Sequence, residues 1–266
     1  MVKIKKQIKN SLPKSVYSGL RKIKLFPKNA RLTLAGFYFT YFIKEYKSNG
    51  VSIKIPFSLT NFKFRGRFVF DTYEKEEAEY LSKYLSPDAT VIELGGCLGF
   101  VSCLTNKILN DKTKHLVLEA NPNLIPWIEK NKAENSCFFS VENVVITKEK
   151  EIPFYIHDLI VGGSLKRKTG NQVSISGATF DSLQKKYDLI FDTLIMDIEG
   201  GELELFRNQK EEIAKFKMIF FEVHPFAGIL TNEEAQECED ILSQLDFRII
   251  KRDGHFQVWE KSFTNN

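Results

Sequence analysis

The chain has few of the residues that would take it out of the ordinary globular class. Only 4 of its 266 residues are cysteine (Cys97, Cys103, Cys137 and Cys238), and none stands in a CxxC pair or at zinc-ligand spacing. That excludes a disulfide scaffold and reads as reduced thiols in a cytosolic protein. Glycine (15) and proline (8) are sparse, which excludes collagen-like and low-complexity chains. Long apolar runs are missing as well. Lysines interrupt every run before Leu32, so no secretory h-region is expected. The most apolar stretch, Leu32 to Ile43 (LTLAGFYFTYFI), stops at Lys44, short of the roughly 20 residues a spanning helix needs. Hydrophobic residues at 43% and charged residues at 27% suit one sizeable α/β domain or two small ones.

Acidic residues are almost absent from one region. Residues 1–50 hold twelve lysines and arginines against a single acid, Glu45, a balance of +11 within a chain whose net charge is +4. The other 216 residues carry 26 basic and 33 acidic side chains, a balance of −7. Such polarity suggests two jobs. The expected organisation is a basic helical extension over 1–50, a β-hairpin and helix over 51–88, and a nucleotide-binding domain over 89–266. Residues 1–50 are expected to serve location or acceptor capture, for instance at the anionic cytoplasmic face of a membrane. Nucleic acid is not favoured as a partner, because the remaining chain is acidic and shows no recognised nucleic-acid motif.

Residues 51–70 alternate apolar and polar residues and read as a strand pair, followed by helical periodicity from Asp71 to Tyr84 and a break at Ser86-Pro87-Asp88. A regular alternation begins at Ala89. Strands are expected at Thr90–Leu94, His115–Leu118, Phe138–Ile146, Thr193–Met196 and Met218–Val223. Helices are expected over Phe100–Leu109 and Pro122–Glu134, from near Gly201, and from the Thr231–Glu234 start signal. Asp253-Gly254 between two β-runs predicts a closing hairpin. Parallel strands with crossover helices imply a doubly wound α/β sheet. The insert His157–Ser176, rich in glycine, serine and lysine, is expected to be a mobile loop.

The first of these strands runs into Glu93-Leu94-Gly95-Gly96-Cys97-Leu98-Gly99. Glycines after a parallel strand let the backbone approach a ligand, and the following helix offers its free N–H groups. The second strand ends at Glu119, placed to accept both hydroxyls of a ribose. Together these point to a nucleotide, without separating NAD from S-adenosylmethionine.

Five segments in order, VIELGGCLGFVS, LEANPN, ATFDSL, IMDIEGGELELF and FFEVHP, resemble the FkbM-like family of S-adenosylmethionine-dependent methyltransferases over roughly residues 68–260. The resemblance implies the class I methyltransferase sheet, Rossmann-like and mostly parallel with a C-terminal antiparallel hairpin. It implies a cofactor site of Glu93, Gly95, Gly96, Cys97, Gly99, Glu119, Ala120, Asn121, Asn143 and Asp197. Cys97 reads as a small structural residue, not a nucleophile. Methylating an alcohol needs a group to take or polarise its proton. Asp197, Glu199, Glu222 and His224, at the ends of the fourth and fifth strands, are the catalytic candidates. The same four could form an oxygen-rich divalent site, although their spacing does not demand one and no metal is expected. Tyr73, Glu74, Gly163 and Ser164 are expected around the acceptor. By analogy the acceptor is a sugar hydroxyl of a surface polysaccharide or glycolipid. A small-molecule or peptide acceptor, a non-catalytic scaffold and a nucleotide-dependent oxidoreductase are the alternatives.

Overall fold

The computed structural model describes residues 27–156, 171–198, 200–223 and 230–262. A seven-stranded sheet is built from β3 (Val91–Leu94), β4 (His115–Leu118), β5 (Ser140–Glu142), β9 (Thr193–Met196), β10 (Met218–Glu222), β11 (Phe247–Asp253) and β12 (Phe256–Lys261), numbered in chain order. Their order is β11-β12-β10-β9-β3-β4-β5, parallel except for β12, which lies antiparallel between β10 and β11. The hairpin around Asp253-Gly254 is thus present, and its second strand is the one that enters the sheet. Every residue of β3, β4 and β9 is buried, the signature of parallel strands covered on both faces. Ile92, Leu94, Leu116, Leu194 and Met196 point into one core layer with Phe206 and Phe221. Val91, Ile195, Phe220 and Val258 face the opposite layer with Tyr80 and Leu81. Chain connections reverse direction at β3, which opens a crevice at the carboxyl ends of β3 and β9.

The expected third strand is interrupted. At Asn143 it breaks into β5 and β6 (Val144–Ile146), and β6 leaves the main sheet for a three-stranded one, ordered β6-β8-β7, with β7 (Glu151–Ile156) and β8 (Asn171–Ala178). The expected loop therefore ends in a strand: β8 pairs antiparallel with β7 and parallel with β6. Its composition is loop-like, but the alternation of Val173 and Ile175 with Gln172, Ser174 and Ser176 is a period-2 pattern, and Ile175 is buried. Residues 157–170 of that insert lie outside the described residues.

The leading hairpin also differs from expectation. It pairs β1 (Glu45–Ser48) with β2 (Val51–Lys54) through Asn49-Gly50, with φ of 49° and 76°. Two consecutive positive φ values are what a two-residue type I′ turn requires, and Asn-Gly supplies them at low cost. Asn131 and Asn135, one turn apart on α5 (Ile125–Glu134) and at its C-terminal end, pair with the edge of β2. Asn131 accepts the Lys54 N–H at 2.7 Å, and Asn135 accepts that of Ser52 at 2.9 Å. The second strand expected within 51–70 is instead a helix, α2 (Phe62–Val69), started by Asn61, whose side chain accepts the Phe64 N–H at 2.8 Å. Its aromatics alternate along the sequence, yet Phe64 and Phe68 stand four apart and share the buried face.

The chain forms two compact units. One comprises residues 45–59 and 74 onward, with both larger sheets; the other contains 60–73 and the described residues up to Lys44. In the latter, α1 (Lys28–Tyr38) packs against α2 through glycine on both sides. A Cβ at Gly36 would fall 1.6 Å from the Phe62 carbonyl oxygen, and one at Gly66 would fall 2.1 Å from that of Leu32. Below this contact Phe39, Phe64, Phe68 and Tyr73 form an aromatic cluster. Continuing α1, a π-helical turn (Phe39–Ile43) ends in a left-handed Lys44, and with α1 it exposes Phe37, Tyr41 and Phe42.

Candidate active site

The site begins where β3 ends. Gly95 has φ 96°, and a Cβ there would lie 2.0 Å from the Asp197 carbonyl oxygen, so only glycine lets the exits of β3 and β9 run side by side. The N–H groups of Gly95 and Gly96 both donate to the Leu118 carbonyl, at 2.9 and 3.2 Å, which ties the loop to the end of β4. Gly99, also at positive φ, starts α4 (Phe100–Ile108).

Glu119, the next residue, closes the arrangement. Its Oε2 accepts the Cys97 N–H at 2.8 Å and its Oε1 accepts the Asn121 N–H at 2.7 Å. The side chain is 7% exposed, and burial pushes its pKa up to about 7 while the two N–H groups pull it down. Asn143 braces the same turn from behind, donating Nδ2–H to the carbonyls of Glu119 and Ala120 at 2.7 and 3.0 Å. This also explains why the strand breaks at Asn143: its side chain takes over bonding to the β4 exit.

A cavity of about 440 Å³ opens over these strand ends, within the usual size of small-molecule sites. Gly95, Cys97, Glu119, Ala120 and Asn121 form one wall, and Asp197, Ile198, Gly201 and Glu204 another. Val144, Ile146, Ile152 and Phe154, from β6 and β7, supply an apolar side, and Glu74 lies on the rim. Asp197 is fixed by its backbone N–H donating to Leu94 O at 3.0 Å.

Of the residues expected to contact cofactor, Gly95, Cys97, Glu119, Ala120, Asn121 and Asp197 line this cavity; Glu93, Gly96, Gly99 and Asn143 stand behind its walls. Glu93 is buried in the core, where it accepts the Ser102 hydroxyl at 2.6 Å and lies 3.1 Å from His115 Nε2. It anchors β3 to α4 and β4. Gly96 makes room for close packing, since a Cβ would fall 2.6 Å from Val117 Cγ1.

Around the acceptor, Glu74 reaches the cavity, whereas Tyr73 is 1% exposed inside the aromatic cluster of the other unit, a hydrophobic side chain satisfied by Phe64 and Phe68. Glu222, ending β10, is placed with Glu74 and Glu77 and does not line the cavity. Glu202, at the start of α6 (Glu202–Asn208), is buried and accepts the Gly200 N–H at 3.1 Å. Glu199, His224, Gly163 and Ser164 lie outside the described residues.

Two features escaped the sequence reading. One is the apolar wall from β6 and β7, signalled only by alternating Val144/Ile146 and Ile152/Phe154. The other is Glu77 on α3 (Lys75–Tyr84), an acid on the same helical face as buried Tyr80 and Leu81. Burial and the neighbouring Glu222 raise its pKa to about 8.

A family model described as the methyltransferase FkbM domain matches residues 93–249, more than half of the chain. The chain belongs to the FkbM methyltransferase family. The match begins at Glu93, in the strand that carries the glycine loop, and ends in β11; four of the five segments that suggested the family fall inside it, and the first, which starts at Val91, falls inside it from its third residue. No curated protein matches the chain. Among solved structures, a putative O-methyltransferase from Klebsiella pneumoniae is 9% identical, with 97% of this chain and 96% of that one covered at a TM-score of 0.44. A precorrin-6y C5,15-methyltransferase from Geobacter metallireducens is 13% identical, with 79% and 93% covered and a TM-score of 0.46. As a family member the protein is a methyltransferase, with a Rossmann-like, mostly parallel sheet.

Proposed function

We propose that this FkbM methyltransferase uses S-adenosylmethionine to methylate a hydroxyl oxygen, the acceptor being a sugar of a surface polysaccharide or glycolipid. The observation that carries the cofactor assignment is the pinned Glu119 carboxylate. Two backbone N–H groups hold its oxygens on the cavity wall, and each oxygen keeps a second lone pair for a ribose hydroxyl. The cavity volume and its apolar side from β6 and β7 suit a flat adenine beside a ribose. The lining carries five acidic side chains (Glu74, Glu119, Glu149, Asp197 and Glu204) against one basic one, Lys148, a balance that favours a cationic ligand. Bound there, the cofactor would supply an electrophilic methyl group on a sulfonium.

The chain's own part is mainly orientation. Asp197, fixed at the end of β9, would accept a hydrogen bond from the incoming hydroxyl and hold it against the glycine loop. His224 remains the proposed base on its intrinsic pKa. Polar side chains on the far wall, Asn208 and Gln209 with Glu204, offer several partners to a polyhydroxylated acceptor.

Calorimetric titration with S-adenosylmethionine and with NAD tests the cofactor assignment. Binding of the former alone is expected, and binding of NAD alone would overturn it. Methyl transfer from isotopically labelled cofactor to sugars, peptides and small alcohols then tests the acceptor class, with labelled sugar expected.

Among the described residues no helix is long and apolar enough to cross a membrane. We infer that the basic N-terminal region docks on an anionic membrane surface, supported by its charge of +11 and by exposed Phe37, Tyr41 and Phe42 (50%, 55% and 70%).

A further inference from the structure

Three carboxyl groups meet beside the cavity. Glu74 lies on its rim, Glu77 sits in the first turn of α3, and Glu222 ends β10. One oxygen from each lies within 4.8 Å of the others, the only such group of potential metal ligands among the described residues. Two oxygens bound to one hard cation at about 2.1–2.5 Å are at most about 5 Å apart, so this spacing already suits coordination.

Glu77 supplies an independent sign of a missing partner. It is 6% exposed, and its Oε2 is buried without a hydrogen-bond partner. Among the described residues no Lys, Arg or His forms an ion pair with Glu77. A buried carboxyl oxygen left without a hydrogen-bond partner is costly, and a cation held by the three groups would satisfy it. Glu77 cannot readily swing to solvent, because the same face of α3 buries Tyr80 and Leu81 in the core.

We propose that Glu74, Glu77 and Glu222 bind a divalent cation, Mg²⁺ or Mn²⁺, whose open coordination positions take oxygens of a hydroxylated acceptor at the Glu74 rim of the cavity. Three carboxylates form a hard oxygen donor set, which selects these ions over thiolate- or imidazole-preferring metals. The use of the ion, to orient and polarise an acceptor hydroxyl, rests on the methyltransferase reading; its binding does not.

The test is titration of chelator-treated full-length protein with Mn²⁺, followed by calorimetry and by the electron paramagnetic resonance of bound Mn²⁺. One ion per chain is expected. Glu77→Gln and Glu74→Gln should each weaken binding at least tenfold, and Glu211→Gln, at an exposed surface position, should leave it unchanged. Failure to bind Mn²⁺ stoichiometrically, or wild-type affinity in both cluster variants, would overturn the proposal. If Glu77→Gln does not fold, Glu74→Gln decides. S-adenosylmethionine is titrated into the same samples. Mn²⁺ binding without cofactor binding would uphold the cation site and sink the cofactor assignment, and the converse result would do the opposite.

Discussion

Glu119 Oε2 lies 2.8 Å from the Cys97 backbone nitrogen, so the acid that follows β4 is hydrogen-bonded to the loop that leaves β3. With Oε1 held by the Asn121 N–H at 2.7 Å, the carboxylate organises its own turn and the neighbouring one together. A residue expected to hold ribose thus also shapes the loop beside it.

Glu119→Gln is therefore expected to do more than remove a charge. One carboxamide end carries N–H donors and would face a backbone N–H, leaving a buried donor unpaired at about 1–3 kcal/mol. Calorimetry should show S-adenosylmethionine affinity falling by about tenfold or more. Unchanged affinity would mean that Glu119 does not contact the cofactor.

Cofactor binding should also be linked to protons. Burial raises Glu119 from 4.5 to about 7, so the folded apo-protein holds a proton that the unfolded chain releases. That contribution to stability is fully present below the unfolded value and is lost as pH rises through about 7. Ribose hydroxyls donate to the charged form, so binding below about pH 7 should expel a proton. Affinity should then weaken by up to about tenfold per pH unit as pH falls, measured as dissociation constants and as proton release in buffers of different ionisation enthalpy.

The glycine contact between α1 and α2 predicts a localised defect. Gly36→Ala and Gly66→Ala would each drive a methyl group into backbone, an overpacking cost of about 1–3 kcal/mol or more. Limited proteolysis should become faster within residues 27–44 and 60–73. Cofactor affinity should stay within about twofold, because every cavity-lining residue belongs to the other unit.

For the membrane surface, the double substitution Phe37→Ser and Phe42→Ser should reduce sedimentation with phosphatidylglycerol vesicles. Deletion of residues 1–28 should reduce it further and make the remainder less sensitive to salt. Equal sedimentation of variant and wild type would remove that inference.

The parallel strands were legible from residue order alone. His115–Leu118 and Thr193–Met196 coincide with the observed strands, because a strand covered on both faces must be apolar at every position. The Asp-Gly hairpin and the helix start at Thr231–Glu234 were readable for a similar reason, since the chemistry that forms them lies within a few residues; the structure settles the cap on Thr231. The Asn49-Gly50 turn carried an equally local signal, which the β-like alternation further along the chain obscured. Phe62–Val69 alternates like a strand and became a helix once Asn61 capped it and Gly36 admitted its backbone.

Nothing local marks Glu77 as a neighbour of Glu222, 145 positions away, or shows that β6 and β7 close one side of the cavity. Such relations depend on which strand lies beside which, and long-range sheet order is set by packing of the whole core. The amino-acid order specified the elements and the chemistry they carry, since periodicity and turn residues act over short distances. Folding chose which of those groups share a cavity, since burial and strand pairing join residues far apart in the chain.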